Sequence, residues 1–274
     1  MNASRLISRL KALQPAPSRG KAVSAPAVAD ATPRGHSPDI PEGATRLTEI
    51  LEASVRSNKF GDHLALRKWF SEPVASAPDL GVPDGELNSE ALRLMAPGAP
   101  KEVADPRQWL FLDTETTGLA GGTGTYPFLV GIGWWDACGL EVEQFFMRDH
   151  SEEHSVLSAL AERMAERPVL VTFNGKSFDW PLLENRFTMT RAIKVPPLAA
   201  HLDLLHPARA LWKLRLGSVR LVELERHVLD TERLGWHRGN DVASALIPQF
   251  YFDYLRGGTA DPLAGVVKHN QMDL

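Results

Sequence analysis

Trp109-Leu-Phe-Leu-Asp-Thr-Glu-Thr-Thr-Gly-Leu119 is the stretch that decides the fold. Its apolar opening reads as a buried strand, Trp109–Asp113, that ends in a carboxylate. Side chains alternate along a strand, so Asp113 and Glu115 point to one face. Two neighbouring carboxylates repel and lose hydration, and a divalent cation between them relieves both costs. An inert, solvated strand end carries the same Asp-x-Glu pattern, so the pair decides nothing by itself.

The pattern continues outward from this strand. Tyr126–Trp135 and Gly139–Met147 read as two more strands, joined by a short turn at 136–139 into an antiparallel hairpin. Ser151–Glu166 places Val156, Leu157, Leu160 and Met164 on one helical face, with Ser151, Glu153 and His154 able to cap its start. Pro168–Phe173 is a fourth strand, followed by an Asn174-Gly175 turn and a helix from about Phe178. Ala200–Leu204 is a fifth strand, and the chain from His206 on is largely helical. A three-strand meander followed by alternating helix and strand predicts an α/β fold, with a mixed five-stranded sheet and helices on both faces.

The first part of the chain differs in composition. Leu6, Ile7, Leu10 and Leu13 are spaced for a short amphipathic helix or a frayed tail, without the apolar core of a secretory signal. Residues 15–43 hold six prolines and much alanine and serine, too little apolar surface to offset ordering entropy. We therefore expect a partly disordered N-terminal region: a Pro/Ala-rich tail over 1–44 and an extension over 45–107 that packs on a main domain at 108–274. Within the extension, Thr45–Arg56 has helical periodicity through Leu47, Ile50, Leu51 and Val55. His63–Phe70 reads as a short strand, and Glu90–Met95 as a helical patch.

Composition excludes several classes. A single cysteine, Cys138, rules out a disulfide framework or a cysteine-cluster zinc site. No apolar run reaches the roughly 20 residues that span a bilayer, so we expect no membrane partner and a cytoplasmic location. A net charge of -4 rules out a globally basic nucleic-acid coat, though a local basic stripe is enough for an enzyme acting on nucleic acid.

Two further acids follow the first pair. Asp179 lies in the first turn of the helix after the Asn-Gly turn, where N-terminal capping is the plainer role. His269 and Asp273 are four apart and share a helical face; the helix starts at Asp261-Pro262, and an exposed helix end is the plainer reading.

Taken in order, Leu112-Asp-Thr-Glu-Thr-Thr-Gly-Leu119, Phe173-Asn-Gly-Lys-Ser-Phe-Asp-Trp-Pro-Leu-Leu183 and His269-Asn-Gln-Met-Asp273 resemble the three motifs of the DEDD exonucleases of the ribonuclease H-like superfamily. Gly121-Gly-Thr-Gly-Thr-Tyr-Pro-Phe128, His206-Pro-Ala-Arg209 and Leu216-Gly-Ser-Val-Arg-Leu221 are similar to the YprB-like (RNase_H_2) group of bacterial exonuclease-domain proteins. The resemblance covers residues 108–274 and implies a ribonuclease H-like fold. It implies that Asp113, Glu115, Asp179 and Asp273 hold two Mg²⁺ or Mn²⁺ ions. Two such ions about 3.5–4 Å apart clamp the attacking and leaving oxygens of a phosphodiester. It implies that His269 orients or deprotonates the water, which suits an imidazole of ordinary pKa near ~6.5. Thr116, Thr117, Gly118 and Leu119 would then offer backbone and an apolar edge to the terminal nucleotide, and Asn174 would meet the sugar-phosphate.

The chain departs from the family in two places. The His269–Asp273 gap is the one usual where the family uses tyrosine. The chain also stops one residue after Asp273, where the look-alikes continue the helix. A fraying helix C-terminus disfavours a further negative charge, so either metal binding offsets this or the site is that of a truncated product.

Other features carry less. Gly175-Lys-Ser177 lacks the first glycine of a phosphate-binding loop, since Leu170 stands there, and Gly131-Ile-Gly133 lacks a third glycine. Lys176 is a turn lysine that is solvated or approaches a phosphate. Arg209, Lys213, Arg215 and Arg220 form an acid-free basic run that either tracks a phosphate backbone or is an ordinary solvated face; we take Lys213 and Arg215 as candidate substrate contacts. Asp203 and Asp241 read as structural or capping acids, and His201 and His206 lack a cluster that would complete a zinc site. The expected activity is that of a metal-dependent 3′→5′ exonuclease on single-stranded DNA or RNA ends. The alternatives are a catalytically impaired nucleic-acid-binding module on the same fold and a protein-interaction scaffold using the N-terminal region.

Overall fold

The structure, a computed structural model, describes residues 42–71, 92, 101–118, 124–136, 139–231, 238–239 and 241–274. The expectations for the tail before residue 42, for most of 90–95 and for the loop at 121–123 lie outside the described residues.

Seven strands form one sheet: β1 (Ser54–Asn58), β2 (Gly61–Ser71), β3 (Trp109–Thr116), β4 (Pro127–Trp135), β5 (Gly139–Phe146), β6 (Val169–Thr172) and β7 (Ala200–Asp203), in the order β1-β2-β5-β4-β3-β6-β7. The pairs β3–β6 and β6–β7 are parallel and the rest antiparallel, so the sheet is mixed. The expected strand number, five, is too low. Both additional strands come from the segment before residue 72, and β2 pairs with β5 from Leu64 to Ser71.

The helical periodicity over Thr45–Arg56 misled because it ran through a break. Helix α1 (Glu42–Leu51) ends at Glu52, whose φ of 54° turns the chain, and Val55 then stands 43% exposed on the edge strand β1. A short, polar edge strand (Ser-Val-Arg-Ser-Asn) buries too little to show two-residue alternation, and its polarity protects the open edge.

The remaining helices of the described residues are α2 (Glu153–Glu166), α3 (Asp179–Thr190), α4 (Leu205–Leu216), α5 (Leu221–His227), α6 (Ile247–Leu255) and α7 (Asp261–Asp273). Strand alternation shows that they flank both faces. Glu143 and Gln144 are consecutive on β5 and point opposite ways. Arg163 of α2 bonds Glu143 at 2.8 Å, and Asn270 of α7 accepts from Gln144 at 2.7 Å, so α2 and α7 lie on opposite faces. Between sheet and helices, Phe128, Leu129, Ile132, Phe146, Leu157, Leu160, Tyr251 and Val266 are fully enclosed. Removing each large side chain from water contributes roughly 1.5–3 kcal/mol. The rings of Phe128 and Tyr251 stack at 4.0 Å, fixing α6 on β4. Arg186 and Glu153, both buried, tie α3 to α2 and so fix the helix that carries Asp179.

Candidate active site

Parallel pairing brings the C-terminal ends of β3 and β6 to one edge of the sheet. Asp113 and Glu115 leave β3 there on the α7 face. Opposite Asp113 on β4 stands Gly131, and a Cβ at that position would come within 2.9 Å of Asn270 Cγ. The glycine thus admits Asn270, which is wholly buried. Its Nδ2 donates to Asp113 Oδ2 at 2.8 Å and to Asp113 O at 3.2 Å, while its Oδ1 accepts from Gln144 Nε2 at 2.7 Å. Gln144 also donates to Val267 O at 2.8 Å, which sets the sense of both amides. Sequence reasoning gave Asn270 and Gln144 no role. The available signals were an asparagine on the buried face of α7 and the two glycines, Gly131 and Gly133, in a strand otherwise of large residues.

Asp179 arrives from the other face. The chain leaves β6 through Asn174, at φ 70°, and Gly175, where a Cβ would lie 2.6 Å from that of Thr172. Asp203, buried at the end of β7, organises this turn by accepting from the backbone N–H of Asn174 (2.8 Å), Lys176 (3.0 Å) and Leu205 (3.0 Å). That is the structural role read for it from the sequence. Asp179 then opens α3, and its Oδ1 accepts from the Thr114 hydroxyl at 2.5 Å.

The acids act on one another. Burial pushes Asp113 well above the usual carboxylate range, and the charges of Asp179, Asp273 and Glu115 push it further, against the Asn270 hydrogen bond. Burial, then Asp273 and Asp179, raise Glu115 to about 8. Burial also raises Asp179, against the Thr114 hydrogen bond. Among the described residues, no three His, Cys, Asp or Glu groups are close enough to cage an ion as they stand. The charges of Asp179, Asp273 and Glu115 reach Asp113, yet three of the four acids are drawn off by different neighbours. Thr114 takes Asp179, Asn270 takes Asp113, and Arg238 Nη2 lies 2.5 Å from Asp273 Oδ1. That Asp273 oxygen is buried with no aligned hydrogen bond, so the Arg238 contact is one of charge without direction. Mutually repelling, largely buried carboxylate oxygens are a donor set that suits hard divalent cations.

His269, 7% exposed, stands beside them. Its Nε2 is 3.3 Å from Ser244 Oγ, 3.7 Å from Asp273 Oδ2 and 3.9 Å from Glu115 Oε1. Its Nδ1 is 2.7 Å from Asp241 Oδ1. Asp241 therefore contacts a candidate site residue, a placement its sequence context did not signal. Burial opposes its ionisation, but the bond to His269 and the Arg238 guanidinium hold it below the usual range.

Of the other candidates, Thr116 donates to Gly118 O at 2.9 Å, and Thr117 Oγ1 accepts from Tyr126 N at 2.9 Å, so this turn is tied to the start of β4 beside the acids. Leu119 lies outside the described residues. Asn174 is half-buried and Lys176 exposed in the turn before Asp179. Lys213 and Arg215 are exposed on α4. Lys213 caps its own helix through Gly217 O at 2.5 Å, and neither forms an ion pair with the four acids among the described residues.

A family model described as RNase_H superfamily (RNase_H_2) matches residues 110–274. The chain is also 37% identical over 166 residues to "Uncharacterized protein YprB" of Bacillus subtilis (strain 168). That alignment covers 60% of this chain and 38% of YprB, so the chain spans well under half of that relative's length. The mixed sheet, the edge on which the acids meet and the span of the family match agree: this chain belongs to the RNase_H superfamily.

Proposed function

We propose that residues 108–274 form a metal-dependent nuclease domain that removes nucleotides from the 3′ ends of single-stranded DNA or RNA. One observation carries this reading: Asp179 and Asp273, from two distant segments, sit close enough to the Asp113–Glu115 pair that their charges push both Asp113 and Glu115 upward. Such self-repulsion is costly unless positive charge joins it.

Asp113, Glu115, Asp179 and Asp273 would hold two Mg²⁺ or Mn²⁺ ions, which when bound activate water and stabilise the leaving 3′ oxygen. The chain's own groups do the rest. Asn270 keeps the Asp113 carboxylate aimed, and Thr114 does the same for Asp179. His269 Nε2, 3.7 and 3.9 Å from the Asp273 and Glu115 oxygens, accepts the proton of the attacking water. Thr116–Gly118 border the acids and receive the terminal nucleotide, and Leu119 offers it an apolar edge. Asn174 and Lys176 meet its sugar-phosphate, and Lys213 and Arg215 steer the strand further out.

The test is a 5′-labelled oligonucleotide with Mg²⁺ or Mn²⁺. The parent should give a ladder shortening from the 3′ end, a 3′-phosphate should block it, and Asp113→Asn should be slower by about 10³-fold or more. Equal rates for Asp113→Asn and parent would refute the metal assignment.

The Arg238–Asp273 contact favours a second reading, in which a guanidinium stands where a cation would and the domain binds nucleic acid without cutting it. Tight oligonucleotide binding, with neither turnover nor calorimetric Mn²⁺ binding, would select that reading.

A further inference from the structure

We infer that Asp241, clamped by Arg238, is a positioning residue that fixes which nitrogen of His269 carries hydrogen, leaving the Nε2 lone pair turned toward Glu115 and Asp273. The inference deepens the nuclease reading, because it supplies the state in which His269 can take a proton.

Asp241 is an acceptor on both oxygens. Its Oδ1 receives the Val242 N–H at 2.8 Å, and its Oδ2 faces Arg238 Nη1 at 3.2 Å. Arg238 is itself immobilised. Its fork closes on the buried Glu225 through two hydrogen bonds, 2.8 and 2.6 Å, and its side chain is 10% exposed. An acid held by a guanidinium has no proton to give. The hydrogen in the 2.7 Å contact with His269 therefore sits on Nδ1.

The arrangement settles a competition. Glu115 and Asp273 lie on the Nε2 side of the ring, and acceptor oxygens there favour a hydrogen on Nε2. A ring in that state has no lone pair left with which to accept from water at that position. Asp241 opposes this with one short, aligned bond at 2.7 Å, against distances of 3.7 and 3.9 Å on the other side. The shorter contact outweighs the longer ones because hydrogen-bond strength falls steeply with distance.

The test uses the full chain labelled with ¹⁵N-histidine, without added metal, at a pH where the ¹⁵N shifts themselves show the ring to be neutral. Two-bond ¹⁵N–¹H correlations, with His269→Gln identifying the signals, should report hydrogen on Nδ1 in the parent and on Nε2 in Asp241→Ala. An unchanged tautomer in Asp241→Ala overturns the inference. If that variant does not fold, Asp241→Leu replaces it, because a hydrocarbon side chain offers Nδ1 no acceptor and should give the same switch.

The kinetic arm uses Mn²⁺ and an oligonucleotide. Asp241→Ala should lower kcat by about 10²- to 10⁴-fold while KM stays within about threefold, and Asp241→Glu should recover part of the loss. In a His269→Gln background the same Asp241→Ala change should cost nothing further, because the two act as one unit. A full additional loss in that background marks Asp241 as merely structural and defeats the inference. A His269→Gln variant as fast as the parent removes the proton role of His269, while the tautomer measurement still decides the positioning.

Discussion

Asp113 is aimed by a chain of contacts in which the missing side chain of Gly131 matters as much as the amides of Asn270 and Gln144. Gly131→Ala should drive a methyl group into the Asn270 amide, lower stability by about 1–3 kcal/mol in urea titration, and cut nuclease activity at least tenfold. Gly131→Ala combined with Asn270→Ala should regain stability, because the clash is gone, without regaining activity, because Asp113 is no longer held. Full activity in the double variant would show that Asn270 does not matter to the site. The acids themselves were legible in the sequence because their signals are local: an Asp-x-Glu at a strand end, an acid after an Asn-Gly turn, a His-Asp pair one helical turn apart. Asn270, Asp241 and Arg238 were not legible, because each takes its meaning from a partner far along the chain. Asn270 and Asp113 are separated by 157 residues, and Arg238 and Met272 by 34.

At the level of elements, the turn between β6 and α3 is built around a buried acid that holds the backbone of Asn174 and Lys176, two of the candidate substrate contacts. Asp203 satisfies three backbone N–H groups, so Asp203→Ala leaves donors buried without partners. We expect a loss of about 2–4 kcal/mol in denaturant midpoint analysis and weaker Mn²⁺ binding by calorimetry, since α3 would no longer start in a fixed place. Unchanged Mn²⁺ affinity in a folded variant would show that Asp179 does not depend on this turn. Strands β3 to β7 and the helix from residue 153 were readable because each buries an apolar face of regular period. The missed elements failed for the converse reason. β1 is short and polar, and α1 and β1 abut at Glu52, so their apolar residues merge into one false helical period.

For the whole molecule, the cluster of raised pKa values makes stability depend on pH. Glu115 has a folded pKa of about 8, above its ordinary 4.5, and Asp113 and Asp179 shift in the same direction. An acid raised in this way contributes its full share of stability only below its unfolded value and loses that share as the pH climbs through the folded one. Without added metal, the thermal midpoint should therefore fall between about pH 4.5 and 8. Saturating Mn²⁺, which binds the folded state, should restore it most at the alkaline end. A midpoint that rises over this range, or that Mn²⁺ leaves unmoved, would argue against burial of these acids at a common edge.

The separation of Asp113 from its amide partner also bears on how the protein comes to be made. Closing so long a loop is entropically slow, and it waits until α7 has been synthesised and can dock. A nascent chain that has completed β3 and α3 already carries Asp113, Glu115 and Asp179, but Asp113 lacks the Asn270 that aims it. On the nuclease reading proposed above, the site stays incomplete until that helix seats, and the order of assembly acts as its safety catch.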